Sequence, residues 1–206
     1  LGLTLLLLVL ALLDTCSGSV WISPHRLFAL SPMQEQILLQ LRLPKMLTAI
    51  LAGASLSVAG LMMQTLFRNP LAGPYILGIS SGASLGVALV TMCGVALGSS
   101  GLISGAAIVG SILVMLLVMM IAKRIRSNVT LLIVGMMVGN IAGALVNMIQ
   151  NFANPDSLKL FIVWTLGRLN GVGWKELPAL AIGVLLAFSL VLILIKPLNG
   201  LLLGED

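Results

Sequence analysis

Apolar residues fall into long uninterrupted blocks along this chain, set apart by short clusters of charge, proline and glycine. Residues 46–66, 76–97, 102–122, 131–150 and 177–195 form five such blocks. A helix needs about 20 mostly apolar residues to cross the hydrocarbon core of a bilayer, so each block is a predicted span. Residues 1–13 are a sixth, too short to cross, and are expected to be the end of a first helix that is cut short. A secretory signal remnant is the competing reading, but residues 1–13 carry no basic n-region. Asp14 and Thr15 also stand before Cys16, where a cleavage site needs small residues.

The connections alternate in length. Residues 14–45 and 151–176 are long, whereas 67–75, 98–101 and 123–130 are short. Within the long ones, 36–43 and 157–166 are apolar enough to form short interfacial helices. The loops after spans one, three and five hold six Lys/Arg in 62 residues; the other loops and the tail hold five in 28. Basic residues concentrate on the cytoplasmic side. That places Arg68, Lys123, Arg124, Arg126, Lys196 and the C-terminus inside and the two long loops outside. The predicted fold class is all-α, a polytopic transmembrane helical bundle, with residues 1–206 as one membrane domain.

Composition removes the soluble alternative. Hydrophobic residues make up 59% and charged residues 8%, with a mean hydropathy of +1.17, against about a quarter charged in a soluble domain. From Asn69 to Ala122, 54 residues pass without one Asp, Glu, Lys or Arg. The net charge of +5 comes from 11 basic residues scattered mostly singly, which suits cationic flanks on membrane helices rather than a nucleic-acid face. Cys16 and Cys93 do not suggest a disulfide framework, and His25 alone cannot supply a metal cluster. No metal, cofactor or catalytic residue is expected. The chain lacks the phosphate-loop, H-E-x-x-H and G-x-S-x-G motifs. Any pumping would therefore draw its energy from a partner or an ion gradient.

Small residues recur at four-residue spacing: Gly78, Gly82 and Gly86; Gly135, Gly139 and Gly143; Ala49, Gly53 and Ser57. Each set shares a helical face and lets backbones approach closely. Ordinary tight packing in a bundle is the plain reading of most of them. No predicted span carries an Asp, Glu, His, Lys or Arg, which argues against a proton-driven carrier or voltage sensor. Gln64, Asn140, Asn147 and Gln150 are the polar groups that remain. Asn140 and Asn147 are seven apart and share a face with Gly143, suited equally to a polar path or to hydrogen bonds between helices.

Residues 41–87 carry a motif series. Arg42-Leu43-Pro44-Lys45 is followed by G-A-x-L-x-x-x-G-x-x-x-Q from Gly53 to Gln64. Next comes N-P-L-A-x-P-x-x-L-G-x-x-x-G-A from Asn69, Pro70 and on to Ala83. Further along stand Trp164-Thr165-Leu166-Gly167, Trp174, and LNGLLLGED from Leu198. The series resembles the FecCD family of ABC importer permeases, which move iron–siderophore complexes, haem or cobalamin. The resemblance runs from the first span onward.

The resemblance implies a ten-helix permease subunit of which this chain is the N-terminal portion, with four further spans expected after Asp206. It implies a bacterial inner-membrane location and three kinds of partner: ATP-binding cassette ATPase subunits, a periplasmic or lipid-anchored substrate-binding protein, and a second permease copy. Arg42 and Lys45 would receive acidic residues of the binding protein; the plain alternative is a pair of cations anchoring the start of span two. Lys45 stands where the family has a second Arg, and keeps the charge without the bidentate geometry. Asn140, Asn147 and Gln150 would line the pathway. Gly204 and Glu205 would stand at the threshold of the ATPase-coupling helices, and the chain is not expected to transport unaided. An iron–siderophore cargo is expected from how common that class is in the family. A secondary transporter or channel without an ATPase is the main alternative, and a membrane scaffold ranks last.

Overall fold

The computed structural model describes residues 2–18, 20–23, 31–94, 100–125, 127–167, 169 and 171–203. Every regular element among them is helical. Among the described residues, four helices are long and apolar enough to cross a membrane: Pro32–Phe67, Gly101–Ala122, Asn128–Asn151 and Leu177–Gly200. Gly2–Cys16 and Ile79–Met92 are apolar but shorter. The chain divides into two compact units, Leu1–Val58 with Leu169–Lys196, and Ala59–Arg168 with Pro197–Asp206.

The first unit holds α1 (Gly2–Cys16), α2 (Pro32–Ile37), the start of α3 (Leu43–Phe67) and most of α8 (Leu177–Leu203). Ser31 opens α2 with a reciprocal cap. Its hydroxyl accepts from Gln34 N–H at 3.4 Å, and Gln34 returns its side-chain oxygen to Ser31 N–H at 3.2 Å. Pro32 follows at the first helical position, where its missing N–H costs nothing. The apolar stretch at 36–43 is not a separate interfacial helix. It continues into α3 through a π-helical turn, Leu38–Arg42. Between α1 and α3 runs an open apolar groove of about 690 Å³, walled by Leu3, Leu6 and Leu10 and floored by Ala49, Gly53 and Ser57. A Cβ on Gly53 would meet nothing within 4 Å, so this small-residue stripe borders open space.

The second unit is built around α4 (Ile79–Met92), which packs on α5 (Ser100–Ala122), α6 (Asn128–Asn151) and α7 (Pro155–Thr165). α4 starts at Ile79, inside the predicted span 76–97, because Gly78 takes a left-handed conformation (φ +73°) that ends the preceding turn. Phe161 of α7 is buried against Val87 and Ala88 of α4 and Val146 of α6, and its ring stacks on Trp164 at 6.4 Å.

Glycine sets the spacing of these helices, but not as three equivalent stripes. A Cβ on Gly82 would lie 2.6 Å from the Gly110 carbonyl and 2.6 Å from Val114 Cγ2 of α5. One on Gly86 would strike the Ala106 carbonyl, and one on Gly110 the Gly82 carbonyl. Gly78 faces α6 instead, where a Cβ would come 2.8 Å from Gly135 O and 2.9 Å from Gly139 N. Gly139 returns that contact, 3.1 Å from Gly78 Cα, and a Cβ on Gly135 would come 2.9 Å from Leu77 Cα, whereas Gly143 has nothing within 4 Å of its would-be Cβ. The buried face of α6 turns instead through Gly135, Gly139, Ala142 and Val146.

The two kinds of glycine respond differently to one methyl group. Gly82→Ala is expected to destabilise the helical bundle by about 1–3 kcal/mol, because the Gly110 backbone as well as the Val114 side chain blocks the Cβ. Gly143→Ala should be neutral, or stabilising by up to ~1 kcal/mol through helix propensity. Thermal unfolding of the detergent-solubilised protein measures both; equal effects would remove the assigned contact.

Candidate functional site

Parts of the first unit converge on the π turn. Arg42, at its end, is 8% exposed. Its Nη1 donates to the Thr15 carbonyl at 2.6 Å, and its Nη2 donates to the Val20 carbonyl. The guanidinium thus closes the segment that follows α1, and Ile22 of that segment is fully buried with its N–H on the Cys16 carbonyl at 3.1 Å. A Cβ on Gly18 would stand 2.7 Å from Arg42 Nη2, so a glycine there leaves the guanidinium its place. From the opposite end of the sequence, Trp174 Nε1 donates to the Leu39 carbonyl at 2.7 Å. The loop carrying Trp174 is itself braced by Glu176, whose carboxylate accepts from Gly173 N–H at 3.0 Å.

The two motif cations therefore differ in kind. Arg42 is turned inward and spent on backbone carbonyls. Lys45, one turn further on, pairs with Asp14 Oδ1 at 3.3 Å, with side-chain exposures of 39% and 40%. An ion pair that open to solvent contributes at most about 1 kcal/mol, and it leaves the ammonium accessible to an outside partner.

The predicted pathway residues do not form one site. Asn140 joins Gly78, Gly139, Tyr75, Ser81 and Met136 around an open hollow of about 220 Å³ between the start of α4 and α6. Asn147 lies two turns along α6, about 10 Å away at 1.5 Å per residue. It is exposed, and its carbonyl accepts from Asn151 Nδ2 at 2.9 Å. Gln150 is half-buried at the end of α6. Among the motif residues, Gln64 is exposed near the end of α3, and its carbonyl accepts from Asn69 N–H at 3.1 Å. Asn69 Oδ1 accepts from Leu71 N–H at 2.9 Å, an Asx-turn that shapes the loop through exposed Pro70. Trp164 is half-buried, and Gly167 ends α7 in a left-handed conformation (φ +76°). Gly204 and Glu205 lie outside the described residues. Among the described residues no group of three or more His, Cys, Asp or Glu is placed to hold a metal ion.

Several residues of these sites went unmarked in the sequence. Asp14, Thr15 and Val20 engage the two cations; nothing local in the sequence pairs them with residues 22–31 positions away. Tyr75, Ser81 and Met136 complete the hollow around Asn140. Ala106 and Gly110 do carry a signal, since they repeat the four-residue spacing of the stripes they meet.

The model of the FecCD transport family matches residues 5–206. The chain is 37% identical over 204 residues to the vitamin B12 import system permease protein BtuC of Klebsiella pneumoniae, covering 99% of this chain and 61% of that protein. It is 35% identical over 207 residues to the same-named protein of Escherichia coli O139:H28, again covering 61% of the relative. A solved inward-facing structure, assigned to the metal-chelate type of ABC transporter, superposes with a TM-score of 0.87 at 31% identity. That superposition covers 99% of this chain and 64% of the other. The chain thus spans about three-fifths of the length of the curated relatives it matches.

Removing the Arg42 guanidinium strips two carbonyls of their donor. Arg42→Ala is expected to cost roughly 2–4 kcal/mol, and Asp14→Asn less than about 1 kcal/mol. Thermal unfolding and protease cleavage within 17–23 measure the difference; equal costs would contradict the division of roles.

Proposed function

The chain belongs to the FecCD transport family, and from that membership we propose that it forms part of the membrane-spanning permease of an ABC importer. It is a multi-pass protein of the bacterial inner membrane. The family match over residues 5–206 carries the reading, and the superposition on an ABC transporter of metal-chelate type supports it. The proposed cargo is a metal chelate. Relatives named for vitamin B12 import favour cobalamin over the iron–siderophore cargo expected from the sequence. The permease does no chemistry on its cargo. ATP hydrolysis belongs to separate ATPase subunits, which would rest on the cytoplasmic side, and a second permease copy would complete the pathway.

Delivery by a substrate-binding protein on the outer side falls to Lys45. It is the accessible member of the cation pair, and complementary charge sets docking register and encounter rate. Arg42 serves this surface by fixing the segment beside it. Asn140, Asn147 and Gln150 remain the proposed polar positions of the pathway, with Asn140 in the hollow beside Gly78 the best placed.

Uptake of labelled cobalamin and of a ferric siderophore, by cells in which the intact permease replaces the endogenous ones, tests the cargo. Cobalamin accumulation is expected, abolished when the ATPase subunit loses its hydrolytic residues. Accumulation that survives that loss would instead mean a secondary transporter. Lys45→Glu should weaken capture of the binding protein about three- to tenfold; unchanged affinity would move docking elsewhere.

A further inference from the structure

The helix from Pro32 to Phe67 carries Pro44 fully buried in its interior. A proline there has no N–H for the carbonyl four residues back, and its ring presses on that carbonyl. In a continuous α-register the unsatisfied group would be Gln40. The π turn avoids this. Leu43 N–H donates to Leu38 O, five residues back, and so passes over Leu39 O, its partner in the α-register. The π-register donor for Leu39 O would then be the nitrogen of Pro44, which has no hydrogen. Trp174 Nε1 fills that vacancy at 2.7 Å. Each register therefore leaves one carbonyl opposite Pro44, Leu39 in the π form and Gln40 in the α form. The indole supplies a donor to the π form.

We propose that the Leu38–Arg42 turn is a two-register conformational switch, held in the π form by Trp174 and transmitted through Arg42. When the indole withdraws, Leu43 N–H moves to Leu39 O and the extra residue of the turn is absorbed. Absorbing one residue turns α2 by about 100° relative to α3. Arg42 then no longer reaches the Thr15 and Val20 carbonyls together, and the segment after α1 opens. The same turn thus joins two segments far apart in sequence, 15–22 and the loop bearing Trp174. A partner that draws Trp174 away releases the Thr15 and Val20 carbonyls from Arg42. The switch stands on these hydrogen bonds alone and holds whatever the cargo is.

Cys16 reports the latch, because it is 3% exposed and adjoins the Thr15 carbonyl that Arg42 holds. The test uses the intact protein in native membranes, with Cys16 as its sole cysteine, and measures the rate of alkylation by N-ethylmaleimide. Trp174→Phe keeps the ring's bulk and removes the donor, and should raise the rate about fivefold to tenfold. Pro44→Ala satisfies either register, so the intrinsically better α form wins, and the rate should rise similarly. The double variant should react no faster than the faster single one, since both reach the same state. Arg42→Gln should also expose Cys16. A Trp174→Phe rate within about twofold of the parent, or additive effects in the double variant, would overturn the switch. Should Trp174→Phe fail to fold, as judged by its helical circular dichroism, the Pro44→Ala rate alone decides, and an unchanged rate refutes the proposal.

Discussion

A backbone N–H or carbonyl inside a bilayer has no water to fall back on, and most of this chain's organisation follows from that single constraint. It restricts the spans to helices, and most of their hydroxyls bond inside their own helix, although Ser111 of α5 donates to the Ile79 carbonyl of α4 at 3.4 Å. Thr48, Ser55, Ser57, Thr65, Thr91 and Ser189 all donate to the carbonyl four residues back, at 2.7–2.9 Å. Where the helical ladder fails, a donor comes from elsewhere. The π turn ahead of Pro44 receives Trp174, and Asn128 Nδ2 reaches the Leu66 carbonyl near the end of α3 at 3.1 Å.

With hydrogen bonds satisfied within each helix and lipid as apolar as the side chains, helix association rests on close packing. That explains why glycine governs the second unit. Gly82, Gly86 and Gly110 bring the α4 and α5 backbones together. Gly78, Gly135 and Gly139 do the same for α4 and α6. α4 serves two neighbours with one short run of small residues, and α7 covers what remains with Phe161. The hollow beside Asn140 lies at the α4–α6 approach, so the contact that joins these helices also shapes the proposed polar position.

The first unit places its chemistry at a helix irregularity. A buried proline, a π turn, an inward arginine and a distant indole form one hydrogen-bonded set, and the exposed cation Lys45 stands one turn from it. Arg42 is spent on closing that set, which leaves Lys45 as the accessible cation beside it. The broken ladder therefore underlies the accessible charge.

The all-helical membrane character and membership of a transport family were legible in the chain, whereas the block 76–97 holds only the shorter helix Ile79–Met92 among the described residues. An uncharged run of 54 residues has one physical solution, and the Asn69-Pro70 and Gly73-Pro74 turns break the helix wherever they occur. Four-residue glycine spacing was legible as a packing signal too. Which glycines touch was not: Gly78 turned to a different neighbour from Gly82, and Gly143 to none, because spacing gives a face while contact depends on where neighbouring helices lie. The difference between Arg42 and Lys45 was hidden for the same reason. The two residues share a charge and a motif, yet one is buried on the Thr15 and Val20 carbonyls and the other faces solvent beside Asp14. Sequence alone determined that this chain crosses a membrane and to which family it belongs, since hydrophobic length and local turn chemistry act within a few residues. Tertiary structure alone decided which polar groups are spent and which are free, since their partners come from segments up to 135 positions away.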